Sequence, residues 1–289
     1  MPSPNISYKF LKVPYEEGAY WRKGAKSGPD AIMAQLAKAR TQSISTGARL
    51  AQDFKDIPVT EVAHSPYSKS AYLAYIEKCV LECLQDGFTP VVLGGDHAIT
   101  LPVLRAFARH YGHGRFGVIH VDAHSDTYPP VDGYRFHHGA VFRNVVEEGL
   151  VDPKQIHQIG IRGLCGDGWL SFVEETGIHL VTMDEFRTLN FDLAAVVPDK
   201  SIPYYVSIDI DAVDPAFAPG TGTPVPGGFS SSEILSLVRQ VGAYRVIGFD
   251  MVEVAPIYDA ADITSLLAAH IVAEMMIGCN AHSPGDAKC

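Results

Sequence analysis

Two short runs in this 289-residue chain set carboxylates two positions apart: Asp122-Ala123-His124-Ser125-Asp126 and Asp209-Ile210-Asp211. Each follows an apolar run, 117–121 and 204–208, that reads as a β-strand. Alternate side chains of an extended chain point to one side, so each run aims its oxygen and imidazole groups at one place. Several carboxylates facing one spot repel strongly unless cations lie between them. The pattern fits a pair of divalent metal ions, and a metal-activated water is a hydrolytic tool.

Other residues join these runs. Gly94-Gly95-Asp96-His97 ends a strand and opens a helix, which brings His97 to the same sheet edge. Phe136-His137-His138-Gly139 closes a loop after the first run, and Glu253 follows an apolar strand at 245–251. The segment 214–225 is rich in Gly and Pro, and so stiff and shaped, as a pocket wall should be. Four aspartates with two imidazoles form a hard to borderline ligand set. It suits manganese better than a structural zinc site, with no thiolate nearby.

The elements that must position these residues alternate. Strands are predicted at 88–93, 116–121, 155–161, 179–182, 204–208 and 245–251, and helices at 70–86, 98–111, 230–241 and 263–276. Strands separated by helices imply a parallel sheet covered on both faces, with ligands beyond the carboxyl ends of the strands. Both acidic runs fall at such ends. There is no internal repeat or linker-like tract, so one domain over 1–289 is the simplest organisation. The small polar tail from 281 is expected to fray.

Bulk properties narrow the partners. A hydrophobic content of 47% is ample for a large core, and a net charge of −10 argues against nucleic acid and anionic membrane. No window approaches about 18 consecutive apolar residues, and the first ten residues do not form a signal segment. Five cysteines in a chain this long make no disulfide framework, so a reduced cytoplasmic protein is expected.

The motifs Gly-Gly-Asp-His at 94–97, Asp-Ala-His-Ser-Asp at 122–126 and Ser-Ile-Asp-Ile-Asp at 207–211 together resemble the ureohydrolase family of arginases and agmatinases. The likeness runs from Gly24 through Glu253, and the 214–225 loop and Val252-Glu253-Val254-Ala255-Pro256 look closest to the agmatinase branch. The resemblance implies an arginase-like three-layer α/β/α domain with a mainly parallel central sheet. It implies two Mn2+ per chain. His97, Asp122, Asp126 and Asp209 would hold one ion, and Asp122, His124, Asp209 and Asp211 the other. Glu253 would pair with the substrate guanidinium, Asp126 would relay a proton, and His138 matches the proton-shuttling histidine; His137 has no matching role. Homotrimers or homohexamers are implied as well.

The same likeness addresses the substrate. Arginases carry Asn two positions after the last aspartate of the first run; here Tyr128 stands there, which argues against arginine and for an agmatinase-like site. The following loop carries Arg135, which, if turned inward, would repel an amine and favour a guanidino acid. The expected reaction is hydrolysis of agmatine to urea and putrescine. The rivals are another guanidino compound, such as 4-guanidinobutyrate or 3-guanidinopropionate, and a single-metal deacetylase on a related scaffold, which would leave His97 and Asp126 without a metal.

Among the remaining histidines, His120 within its strand is the one expected to brace a ligand. Asp96 reads as a cap or a bracing group, and Cys165, in a Gly-rich stretch, as a loop residue.

Overall fold

Val91 and Leu93 pack on one side of the central sheet, and Val92 between them on the other. The same alternation puts Ile119 and Val121 opposite Val118. Such strands are buried on both faces, which explains their unbroken apolar sequence. The structure is a computed structural model describing residues 6–63 and 68–282; the tail beyond 282 lies outside the described residues.

The strands are β1 (Tyr8–Val13), β2 (Val59–Glu61), β3 (Thr89–Gly94), β4 (Gly117–Val121), β5 (Ile156–Ile161), β6 (His179–Thr182), β7 (Pro203–Asp209) and β8 (Arg245–Val252). They form one sheet in the order β2-β1-β3-β8-β7-β4-β5-β6. Every pairing is parallel, so the sheet is wholly rather than mainly so. The strands β1 and β2, at one side of the sheet, are additions to those read from the sequence.

Helices α1 (Gly28–Leu36), α6 (Met183–Thr188), α7 (Leu193–Val196), α8 (Ser231–Val241) and α9 (Ile263–His282) cover one face. Helices α2 (Lys69–Gln85), α3 (Thr100–Tyr111), α4 (Val141–Glu147) and α5 (Leu170–Thr176) cover the other. Local signals fix their starts. Ser230 and Glu233 close a capping box on α8, as Thr182 and Glu185 do on α6.

The last helix runs six residues past its sequence-predicted end at 276. Over Ile263–Ala281 its mean hydropathy is 1.4, enough by length and composition for a membrane span, but 72% of that stretch is buried inside the fold. It packs against α1 and α8. A helix enclosed on several sides needs apolar residues all round.

The middle of the sheet is β3-β8-β7-β4. These four neighbours deliver His97, Glu253, Asp209 and Asp122 at or just past their carboxyl ends.

Candidate metal centre

His97 is buried at the turn after β3, and its Nδ1 faces three carboxylates. Asp126 Oδ2 lies at 3.0 Å, Asp122 Oδ2 at 3.2 Å and Asp209 Oδ2 at 3.4 Å. On the other flank His124 Nδ1 lies 3.1 Å from Asp211 Oδ2 and 3.5 Å from Asp122 Oδ1. All six residues expected as metal ligands therefore meet at one place, with Asp122 between the two imidazoles. All but His124 are buried.

The backbone locks the carboxylates in place. Asp122 Oδ1 accepts the His124 N–H at 2.6 Å, and Asp209 Oδ1 accepts the Asp211 N–H at 2.8 Å. Asp211 accepts the Ala123 N–H and the Thr223 hydroxyl. His120 reaches Asp122 Oδ2 at 2.8 Å, and its other nitrogen meets the Gln158 amide at 3.1 Å. His120 thus braces a ligand, as its place in the strand suggested.

The donor set fits divalent metal. His97 Nε2 meets Ser207 Oγ at 2.9 Å, while Nδ1 makes no hydrogen bond among the described residues despite three oxygens within reach. A buried ring nitrogen aimed at three carboxylates is the arrangement a cation completes. The electrostatics agree. Burial, then Asp211 and Asp122, push the Asp209 carboxyl well above the usual carboxylate range. Burial also raises Asp211. Burial works against ionising Asp122, yet the charge and hydrogen bonds of His120, His124 and His97 hold it well below that range. So many acids in one buried site compete for protons, and positive charge resolves the competition.

Glu253 closes the opposite wall. Its Oε1 accepts the His97 backbone N–H at 2.9 Å and meets His138 Nδ1 at 2.9 Å. Burial opposes the His138 imidazolium, but the bond to Glu253 raises its pKa to about 9. Asp126 and Glu253 hold φ at 52° and 63°. This left-handed region costs a non-glycine residue energy and persists where surrounding structure imposes it. Asp96 caps the turn at Ala98 and ties down the Gly18 and Ala19 N–H groups at 2.7 and 2.8 Å. Tyr20, on that tethered loop, lies edge-on to His138 with ring centroids 4.8 Å apart.

Above the cluster lies a cavity of about 210 Å3 with Tyr20, Tyr128, Leu164 and Thr223 at its mouth. Tyr128 thus faces the site. Arg135, expected among the substrate-binding groups, does not. Its Nε donates to Asn144 and its Nη2 to Glu147 at 3.0 Å, with the guanidinium over the Phe136 ring. Helix α4 offers it an amide oxygen and a carboxylate while leaving it in contact with water, which costs less than desolvation inside the site. The double histidine is also resolved in geometry: His138 faces Glu253, whereas His137 turns its Nε2 to the Pro129 carbonyl at 3.1 Å. Cys165 is an exposed loop residue in an adjoining cavity.

Several bracing residues escaped the sequence reading. Arg162 donates to the carbonyls of Gly160, Asp211, Val225 and Pro226, and Arg22 to those of Thr221 and Gly222, so two arginines grip the Gly/Pro-rich wall. Arg143 holds the Thr127 and Tyr128 carbonyls. Asp250 accepts hydroxyls from Ser207, Thr100 and Tyr205. An arginine bonded to carbonyls far along the chain leaves no spacing signal; for Asp250, its place two residues before the end of an apolar strand was the available clue.

Comparison with known proteins agrees with this geometry. A family model described as the arginase family matches residues 7–278. Proclavaminate amidinohydrolase of Streptomyces clavuligerus is 39% identical over 270 residues, covering 92% of this chain and 86% of that protein. Guanidinobutyrase of Pseudomonas aeruginosa is 36% identical over 272 residues, covering 92% and 84%. A solved structure of the Streptomyces clavuligerus proclavaminate amidino hydrolase superposes with a TM-score of 0.85 at 37% identity, covering 98% of this chain and 95% of that one. Likeness of this extent settles the family and, with it, the class of chemistry: the chain belongs to the arginase family, the metal-dependent hydrolases of guanidino groups.

Proposed function

We propose that this protein hydrolyses agmatine to urea and putrescine with two Mn2+ ions. The observation that carries the metal reading is His97 Nδ1, unbonded and within 3.4 Å of Asp126, Asp122 and Asp209. His97, Asp122, Asp126 and Asp209 would hold one ion, and Asp122, His124, Asp209 and Asp211 the other. Because His97 and Asp126 converge, the arrangement favours two ions over the one a deacetylase would carry. Bound there, the ions would supply Lewis acidity, which lowers the pKa of a water towards neutrality.

The chain's own groups do the rest. A guanidinium is a poor electrophile and resists desolvation unless a carboxylate receives it. Glu253, 2% exposed, offers that carboxylate. Its Oε2 accepts no hydrogen bond among the described residues, so a guanidinium can take that oxygen while Oε1 stays with His97 and His138. Held so, the central carbon is fixed over the cluster, an orientation effect. Asp126 at the cavity floor is placed to carry a proton. His138 enters as the imidazolium and can protonate the departing amine.

Substrate choice follows from charge at the mouth. Arg135 is turned away, and the residues lining the cavity over the cluster include no Lys or Arg to receive a substrate carboxylate. Arg162 lines the adjoining cavity, but its N–H groups go to backbone carbonyls. This favours an amine tail. Guanidino acids are the second reading, because relatives at 36–39% identity are named guanidinobutyrase and proclavaminate amidinohydrolase. Urea release from agmatine, 4-guanidinobutyrate, 3-guanidinopropionate and arginine in the presence of Mn2+ separates them. Agmatine is expected to turn over fastest; no agmatine turnover beside a fast guanidino acid reverses the assignment. We further propose a cytoplasmic location, which the free thiols of Cys79, Cys83, Cys165 and Cys279 among the described residues support, and assembly as a homotrimer or homohexamer, by analogy with the family.

A further inference from the structure

Ser207 and Asp250 sit side by side on neighbouring strands, in register between β7 and β8. Neither is a metal ligand. Both are fully buried, under the site and not in it. Ser207 Oγ donates to Asp250 Oδ1 at 2.7 Å. The other Asp250 oxygen accepts from Thr100 at 2.7 Å and from Tyr205 at 2.8 Å. Three hydroxyls therefore spend their protons on one carboxylate. A serine hydroxyl has a single proton, so Ser207, having given it to Asp250, meets His97 Nε2 at 2.9 Å only as an acceptor. That forces the proton of the neutral imidazole onto Nε2 and leaves a lone pair on Nδ1, the nitrogen aimed at Asp126, Asp122 and Asp209. The ring also lies edge-on to His120 and Phe142, at 5.1 and 5.9 Å.

We infer that Asp250 and Ser207 are positioning residues that set the tautomer of the neutral His97 ring, so that its one lone pair is on Nδ1, towards Asp126, Asp122 and Asp209, when it serves as a ligand. A metal-ligating histidine needs such a partner on its second nitrogen, and losing it typically weakens metal binding 10–100-fold. The direction of the relay matters as well as its presence. In Asp250→Asn an amide N–H can donate to Ser207, whose own proton is then free to point at His97 Nε2. That would move the ring proton to Nδ1 and put a donor where a lone pair is needed.

The inference rests on the metal reading above, and the test keeps the two apart. Mn2+ binding to the full chain is measured by competition with a chelating dye, beside melting of the chelator-treated protein, for the parent, Ser207→Ala, Ser207→Thr and Asp250→Asn. Ser207→Ala and Asp250→Asn should each weaken one Mn2+ equivalent by about 10–100-fold, while Ser207→Thr, which keeps the hydroxyl, stays within roughly threefold of the parent. Metal-free melting should shift alike in the two Ser207 variants, because both disturb packing and only one removes the acceptor. Parent-like Mn2+ affinity in Ser207→Ala, or an equal loss in Ser207→Thr, overturns the inference. If Ser207→Ala fails to fold, Asp250→Asn decides by the same criterion. A parent chain that binds no Mn2+ overturns the metal reading and the inference with it.

Discussion

His138 Nδ1 and Glu253 Oε1 stand 2.9 Å apart, and the same oxygen holds the His97 backbone N–H. One carboxylate therefore links the proposed proton donor, the proposed guanidinium site and the turn that carries a metal ligand. Glu253→Gln keeps the shape and removes the charge. It should lower kcat/KM by about 100-fold or more, near 2.7 kcal/mol. Metal content should stay at the parental level, as elemental analysis would report. A variant of parental activity would remove Glu253 from substrate binding. The adjacent pair gives a paired comparison: His138→Asn should lose far more activity than His137→Asn, since His137 faces the Pro129 carbonyl.

Chelation should abolish urea release and lower the melting temperature, because bound ions offset the crowded aspartates. Restored Mn2+ at 100 times the dissociation constant of a site should return about 2.7 kcal/mol of stability for that site. Elemental analysis should count two ions per chain. Unchanged melting with chelator present would contradict the account of the acidic cluster.

Gly95 tests the packing under the site. A Cβ there would lie 1.7 Å from the Tyr15 carbonyl oxygen, against backbone that cannot yield cheaply. The Glu253 N–H donates to the Gly95 carbonyl at 2.8 Å, so any shift reaches the substrate wall. Gly95→Ala should cost more than about 3 kcal/mol, the upper range for overpacking, measured by denaturant unfolding. A folded, fully active variant would show that the turn can relax.

Acid sensitivity should trace to His157, away from the site. Burial, then the positive charge of the stacked His179, lowers its pKa to about 4. The unfolded chain binds a proton near pH 6.5, and the folded chain only near 4. Stability on this account is flat above about pH 6.5 and falls by at most about 1.4 kcal/mol per pH unit down to pH 4. His157→Gln should flatten that limb in thermal melts between pH 4 and 7. An unaltered slope would assign the acid limb to other groups.

Arg135→Ala supplies the control for substrate choice. Its ion pair with Glu147 is exposed, so stability should change by no more than about 1 kcal/mol, and the agmatine-to-acid activity ratio should stay put. A swing of that ratio would bring Arg135 back to the site.

Much of this site could be read from the residues because its ligands are local. Asp122, His124 and Asp126 fall on one short run, Asp209 and Asp211 on another, and the period of two in a strand converts spacing into direction. What eluded the sequence was non-local. Arg162 and Arg22 grip a loop through backbone carbonyls that carry no residue code, and the sense of Arg135 depended on helix α4, which the sequence had not revealed. Strand β2 is too short and too exposed to show a pattern, with Val59 and Glu61 facing solvent. The strain at Asp126 and Glu253 was equally silent, since neither position is a glycine.

The order of strands carries a consequence for biosynthesis. β8, the last of the described strands to leave the ribosome, is inserted between β3 and β7 and completes the sheet in its middle. Until it docks, a nascent chain has Gly94-Gly95-Asp96-His97 on one half and both acidic runs on the other, with no continuous ladder between them. A growing polypeptide can show loose acids to passing cations, but His97 joins them in one sheet only once β8 has been made and has docked.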